Sequence, residues 1–187
     1  MSLEISAETS FALDLTNAQQ YGPELHTNAN AASDPNGNEA DATTGWASVG
    51  LTGTGANVFE SQSSVANVGA YAIHADCTDT PTSLARFYLS LLDAPFNLSD
   101  GDVVKLSFDI RHTGTGSITG GWSAWLANAN AASDHILTTI TSSDTTWQSV
   151  ETTFTYDSTY RFLTFREANS QNDGGIYLDN LSVKKVL

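Results

Sequence analysis

The sequence predicts an all-β domain, an antiparallel sandwich or barrel, on three observations. Short alternating segments rich in Thr, Val, Ile and aromatics recur from residue 70 onward, each bounded by Gly, Asn, Asp or Ser. No window combines helical period with capping residues. The closing segment, Gly174 to Val183, alternates apolar and polar residues but skips one beat at Asp179-Asn180. Ile176 and Leu178 share a face that Leu181 and Val183 regain only if one extra residue bulges out, and an acidic residue at a bulge is re-aimed out of the ladder.

The elements follow in order. Residues 1–22 read as an extension or first edge strand, and residues 23–187 as one domain. Asn28 to Thr44 is loop chemistry, dense in Asn, Ala, Asp and Gly, and ends at Gly45-Trp46, where an aromatic enters a strand. Strands are expected at Ala70–His74, Arg86–Leu91, Val104–Arg111, Trp122–Leu126, Ile136–Ile140, Trp147–Tyr156 and Arg161–Glu167. The glycines at 114, 116, 120 and 121 bracket a hairpin; with no helix and no Gly-Lys-Ser/Thr after them they form no phosphate loop. Asn-Ala-Asn-Ala-Ala-Ser-Asp occurs at 28–34 and again at 128–134, but the flanks differ, so these are two loops of like composition rather than a repeat.

Composition excludes several functions. A chain of 187 residues with 7 Lys+Arg against 21 Asp+Glu carries a formal charge of -14. Nucleic acid and anionic membranes repel such a surface, whereas calcium and other hard cations suit it. The lone Cys77 forms neither an internal disulfide nor a thiolate cage. No apolar run has membrane-spanning length, and the first fifteen residues do not read as a signal peptide. The four histidines lack metal-ligand spacing, and there is no Gly-x-Ser-x-Gly elbow. Asp109 and Glu167 could face each other as glycosidase carboxylates, but nothing in the sequence marks them as a pair.

The ordered set Pro23 to Asn28, Gly45-Trp46, Gly69 to Ile73, Gly101 to Arg111, Trp147 to Phe154 and Ile176 to Asn180 resembles the jelly-roll carbohydrate-binding modules appended to glycoside hydrolases and polysaccharide lyases. Similar modules occur in phage tail and adhesin proteins. The resemblance implies a two-sheet antiparallel jelly-roll sandwich that binds a polysaccharide or oligosaccharide on a concave face, without catalysis. It also implies an extracellular, virion or cell-surface setting, as a module of a larger protein or a monomer. It assigns Trp46, Tyr71, Trp147 and Phe154 to the core. In such modules the first loop and the last strand meet at one rim, where calcium pins the chain ends. The hard-oxygen candidates here are Glu24, Asp34, Glu39, Asp41 and Asp179. The chain departs from the family's usual acidic opening run, because Asn28 is followed by Ala-Asn-Ala-Ala-Ser-Asp.

Parity selects the candidate sugar site. Non-core positions are Arg86, Tyr88 and Ser90 in one strand, and Lys105, Ser107, Asp109 and Arg111 in another. Taking Leu163 and Phe165 as core leaves Phe162, Thr164 and Arg166 outside, although Phe162 could claim the core instead. Trp122 and Trp125, three apart, must face opposite ways. Arg86, Tyr88, Asp109, Arg111, one of Trp122 and Trp125, and Arg166 are therefore expected to line the concave face. There, aromatic rings would stack on a pyranose and arginine forks would take carboxylates. The arginines hint at an anionic glycan, against the net charge. In the competing account Asp109 and Glu167 pair with the arginines on a solvated face. The competing functions are a structural or adhesion domain and, less favoured, a small glycanase or lyase.

Overall fold

The computed structural model describes residues 20–25, 46–51, 57–77, 85–92, 96–114, 121–128, 135–140, 144–167 and 174–187. Among them are the strands β1 (Tyr21–Glu24), β2 (Trp46–Val49), β3 (Asn57–Gln62), β4 (Ala72–Cys77), β5 (Arg86–Ser90), β6 (Val103–His112), β7 (Trp122–Ala127), β8 (His135–Ile140), β9 (Gln148–Thr155), β10 (Phe162–Glu167) and β11 (Ile176–Val186). No helix of the described residues is long and apolar enough to cross a membrane.

The strands form two antiparallel sheets. One has six strands, in the order β3-β4-β11-β6-β9 with β1 also on β11; the other has five, β2-β5-β10-β7-β8. The antiparallel pairs nest: β7 with β8, β6 with β9, β5 with β10 and β4 with β11. Consecutive strands thus alternate between sheets except at the hairpins β3–β4 and β7–β8, and one long ribbon rolls up into a jelly roll. The inner faces interdigitate through Phe87, Phe108, Trp122, Phe165 and Leu178, each at most 1 % exposed. Phe87 stacks on Phe165 at 5.1 Å, and Phe108 meets Phe165 edge-on at 5.1 Å.

The skipped beat in the last strand is a β-bulge. Asp179 pairs with Asp109, but Ser182 pairs with Ser107, so β11 spends one more residue than β6 between the two pairs. Ile176, Leu178, Leu181 and Val183 all face the core as a result. Asn180 takes the strain at φ 51°, a left-handed conformation that asparagine tolerates better than most residues.

The expected elements need two corrections. β3 is not among the expected strands, because Asn57-Val58-Phe59-Glu60-Ser61-Gln62 shows little alternation on which to predict one. Tyr71 and Trp147 are half-buried rather than core, each lying just before its strand, whereas Trp46 and Phe154 are buried as expected. Asp34, Glu39, Asp41 and nearly all of both heptapeptides lie outside the described residues.

Candidate functional site

The nested topology decides which outward residues meet. β5, β7 and β10 lie side by side in the five-stranded sheet, so their outer positions fall into rows. Tyr88, Thr164 and Trp125 are in direct cross-strand register; Arg86, Arg166 and Ser123 form the next row, and Ser90, Phe162 and Ala127 the row on the other side. Tyr88 and Phe162 meet edge to face at 5.3 Å. The Arg166 guanidinium lies over the Trp125 ring, 5.6 Å from its centroid. Between the two aromatics the Thr164 hydroxyl is buried, with no hydrogen-bond partner among the described residues. Burial lowers the pKa of both Arg86 and Arg166, and for Arg166 the charge of Arg86 adds to the effect.

This face collects Arg86, Tyr88, Trp125 and Arg166 from the expected set, but not the rest. Trp122 is core: its ring is 1 % exposed and its indole N–H donates to the Gly174 carbonyl at 3.2 Å. Asp109 and Arg111 do point away from the core, but from β6, on the other sheet. The six expected residues therefore do not line one cleft. Parity gave each strand's outward side correctly but could not say which sheet that side belongs to. Phe162 and Thr164 join the site instead; their non-core parity was the available signal.

The competing account, in which Asp109 and Glu167 neutralise the arginines, meets the same obstacle. Glu167 shares the inward parity of Leu163 and Phe165 and is fully buried. Asp109 is buried in a network on the six-stranded side. It accepts from Asn67 Nδ2 at 2.7 Å, Ser149 Oγ at 2.5 Å and Asn180 Nδ2 at 3.2 Å. The two carboxylates project from different faces, so they do not flank a common glycosidic bond.

Asp179 sits beside that network. Its carboxylate accepts the backbone N–H groups of Asn67 at 2.7 Å, Val68 at 2.9 Å and Asn180 at 2.6 Å. Burial pushes its pKa up despite these donors, and the charge of Asp109 pushes the same way. The bulge thus latches the β3–β4 connection onto the sheet. Glu24 is likewise engaged, accepting Ser182 Oγ at 2.5 Å and the Val183 N–H at 2.6 Å. Among the described residues no group of three or more His, Cys, Asp or Glu could hold a metal; Asp34, Glu39 and Asp41 lie outside them. The two described calcium candidates act here as hydrogen-bond acceptors.

The outer face of the six-stranded sheet carries a row of its own. Glu60, His74, Tyr177 and Arg111 stand in successive cross-strand register, and Trp147 lies beyond Arg111. His74 Nδ1 is 3.1 Å from Glu60, and the imidazole stacks on Tyr177 at 4.7 Å. The Arg111 guanidinium lies 5.6 Å from the Tyr177 ring centroid and 5.9 Å from that of Trp147. Burial alone would lower the His74 pKa, but Asp76 and Glu60 outweigh it and raise the value above 6.5. At 3.8 Å the Nε2–Asp76 contact acts through charge rather than as a hydrogen bond. A raised histidine pKa gives stability that is present below pH 6.5 and lost as pH rises through the folded value. The wild type should therefore exceed His74→Gln in Tm by a few degrees at pH 5.5, with the gap closing by pH 8.5. Thermal melts across that range check it; a gap that widens with pH would contradict it.

Two of the larger depressions among the described residues lie away from the aromatic face. One, of about 640 Å³, is lined by Asp100, Tyr156, Asp157 and Tyr160 among others, and its carboxylates accept turn amides from Ser158 and Thr159. The other, of about 480 Å³, lies along β1, where Lys105 pairs with Glu151 at 2.8 Å and Lys184 with Glu24 at 3.9 Å.

Comparison with known proteins establishes the fold. No family model and no curated protein matches the chain. Among solved structures, the CBM22-1 xylan-binding domain of Paenibacillus barcinonensis Xyn10C superposes with TM-score 0.56 at 17% identity, covering 79% of this chain and 90% of that one. A family 29 carbohydrate-binding module complexed with mannohexaose matches with TM-score 0.52 at 16% identity, covering 89% and 92%. The enzymatically active domain of bacteriophage CBA120 tailspike protein 4 matches with TM-score 0.56 at 18% identity, covering 79% of this chain and 20% of that one. The chain has the fold of carbohydrate-binding modules.

Proposed function

We propose that this protein is a non-catalytic module that binds polysaccharide on the outer face of its five-stranded sheet. The observation that carries the reading is the registered row Tyr88–Thr164–Trp125, flanked by Arg166 and Phe162. Two strand spacings of about 4.8 Å separate the two outer aromatics. That places stacking faces at both ends of a short sugar segment. Aromatic planes suit the apolar face of a pyranose, and arginine forks suit its oxygens. The solved structures support the reading by analogy of fold: one is described as xylan-binding and another is complexed with mannohexaose. An extracellular or surface setting, as part of a larger glycan-active or adhesive protein, fits this role.

Affinity electrophoresis through gels carrying xylan, mannan, β-glucan, polygalacturonate, alginate and carrageenan tests it. Retardation by at least one polysaccharide is expected, with no release of reducing ends. Migration unchanged in every gel would overturn the reading.

A further inference from the structure

The two faces of the sandwich differ sharply in charge. The six-stranded side holds Glu60, Asp76, Asp109, Glu151 and Asp179. The described outer positions of the five-stranded sheet include no Asp or Glu, in a chain that has 21 of them. Two of the chain's four arginines lie there, directly opposite each other across β5 and β10. Like charges in direct cross-strand register are destabilising. Each of the three lysines, by contrast, has a carboxylate partner: Lys105 with Glu151, Lys184 with Glu24 and Lys185 with Asp102. Among the described residues, Arg166 meets the Trp125 ring and the repelling charge of Arg86.

We infer that the glycan bound on the five-stranded face is anionic, its carboxylate or sulfate seated on Arg166 while the sugar ring stacks on Trp125. The inference rests on the glycan-binding reading above and adds the charge of the ligand. An anion between Arg166 and Arg86 relieves their repulsion, and a partly buried guanidinium pairs more strongly than an exposed one. Stacking of the guanidinium over Trp125 fixes the fork beside the ring. The described outer positions, free of Asp and Glu, make the face a local exception to the net charge of -14, and beyond a Debye length of about 8 Å the rest of the charge is screened at physiological salt.

Isothermal titration of the wild type with polygalacturonate and alginate (carboxylates), carrageenan (a sulfate ester), and xylan and mannan (neutral) tests it. The expected result is binding to a carboxylate or a sulfate polymer, weakened about tenfold or more between 50 mM and 500 mM NaCl. The arm that binds identifies the anion. Arg166→Gln is expected to lower that affinity about tenfold or more, with Arg166→Lys in between because it keeps charge but loses the fork. The salt titration needs no variant, so a poorly folding substitution leaves the test intact. Equal or exclusive binding to neutral xylan or mannan would overturn the anionic ligand while leaving glycan binding standing. No binding in any arm would overturn both.

Discussion

Trp125→Ala is expected to lose about 2 kcal/mol, roughly 30-fold, in affinity for the polysaccharide the wild type binds. Its Tm should stay within a few degrees of the wild type, because Trp125 projects from the outer face and is only half-buried. The ring is both the stacking surface and the plane that orients Arg166, which lies 5.6 Å from its centroid, so alanine removes two contacts at once. Trp122, three residues earlier, is the internal control. It is 1 % exposed and packs on Phe87 at 5.9 Å, so its loss attacks the core instead. Titration calorimetry beside circular dichroism separates the two outcomes. A folded Trp125→Ala protein with wild-type affinity would place the site elsewhere.

Asp179→Ala carries the largest expected cost to stability, roughly 2–4 kcal/mol, because it strips three backbone N–H groups of their acceptor. The loss is partly offset because burial already disfavours the ionised carboxyl. Asp179→Asn should fall between the two. Its single carbonyl can still accept Asn67 and Val68, but its amide group then opposes the Asn180 N–H. Urea unfolding measures the difference. Amide exchange should speed up first at Asn67 and Val68, where the β3–β4 connection is released. An unchanged unfolding midpoint would mean that the bulge does not act as a latch.

The strands and their inward faces were legible because period two is a strong signal where one face is buried. It gave Phe87 and Leu89, Leu106 and Phe108, and Leu163 and Phe165 correctly. The bulge was legible for the same reason, since Leu181 and Val183 reach the core only with one extra residue. The site was half legible. Alternation marked Arg86, Arg111 and Arg166 alike as outward, but it carries no information on which sheet a strand joins. That depends on the nesting of distant pairs: β5 and β6 are consecutive yet lie in opposite sheets. Arg111 is therefore spent on Tyr177 and Trp147, while Arg86 and Arg166 face the aromatic row. The sequence showed an acidic residue at the skipped beat, but not the three amides that turn toward Asp179.

The central claim, glycan binding on the five-stranded face, is tested most directly by amide chemical-shift mapping with galacturonate trimer, xylohexaose and mannohexaose. The account predicts perturbations centred on Tyr88, Ser123, Trp125, Thr164 and Arg166, largest with the acidic oligosaccharide. Perturbations centred instead on His74, Tyr177, Arg111 and Trp147, across the other sheet, would contradict it.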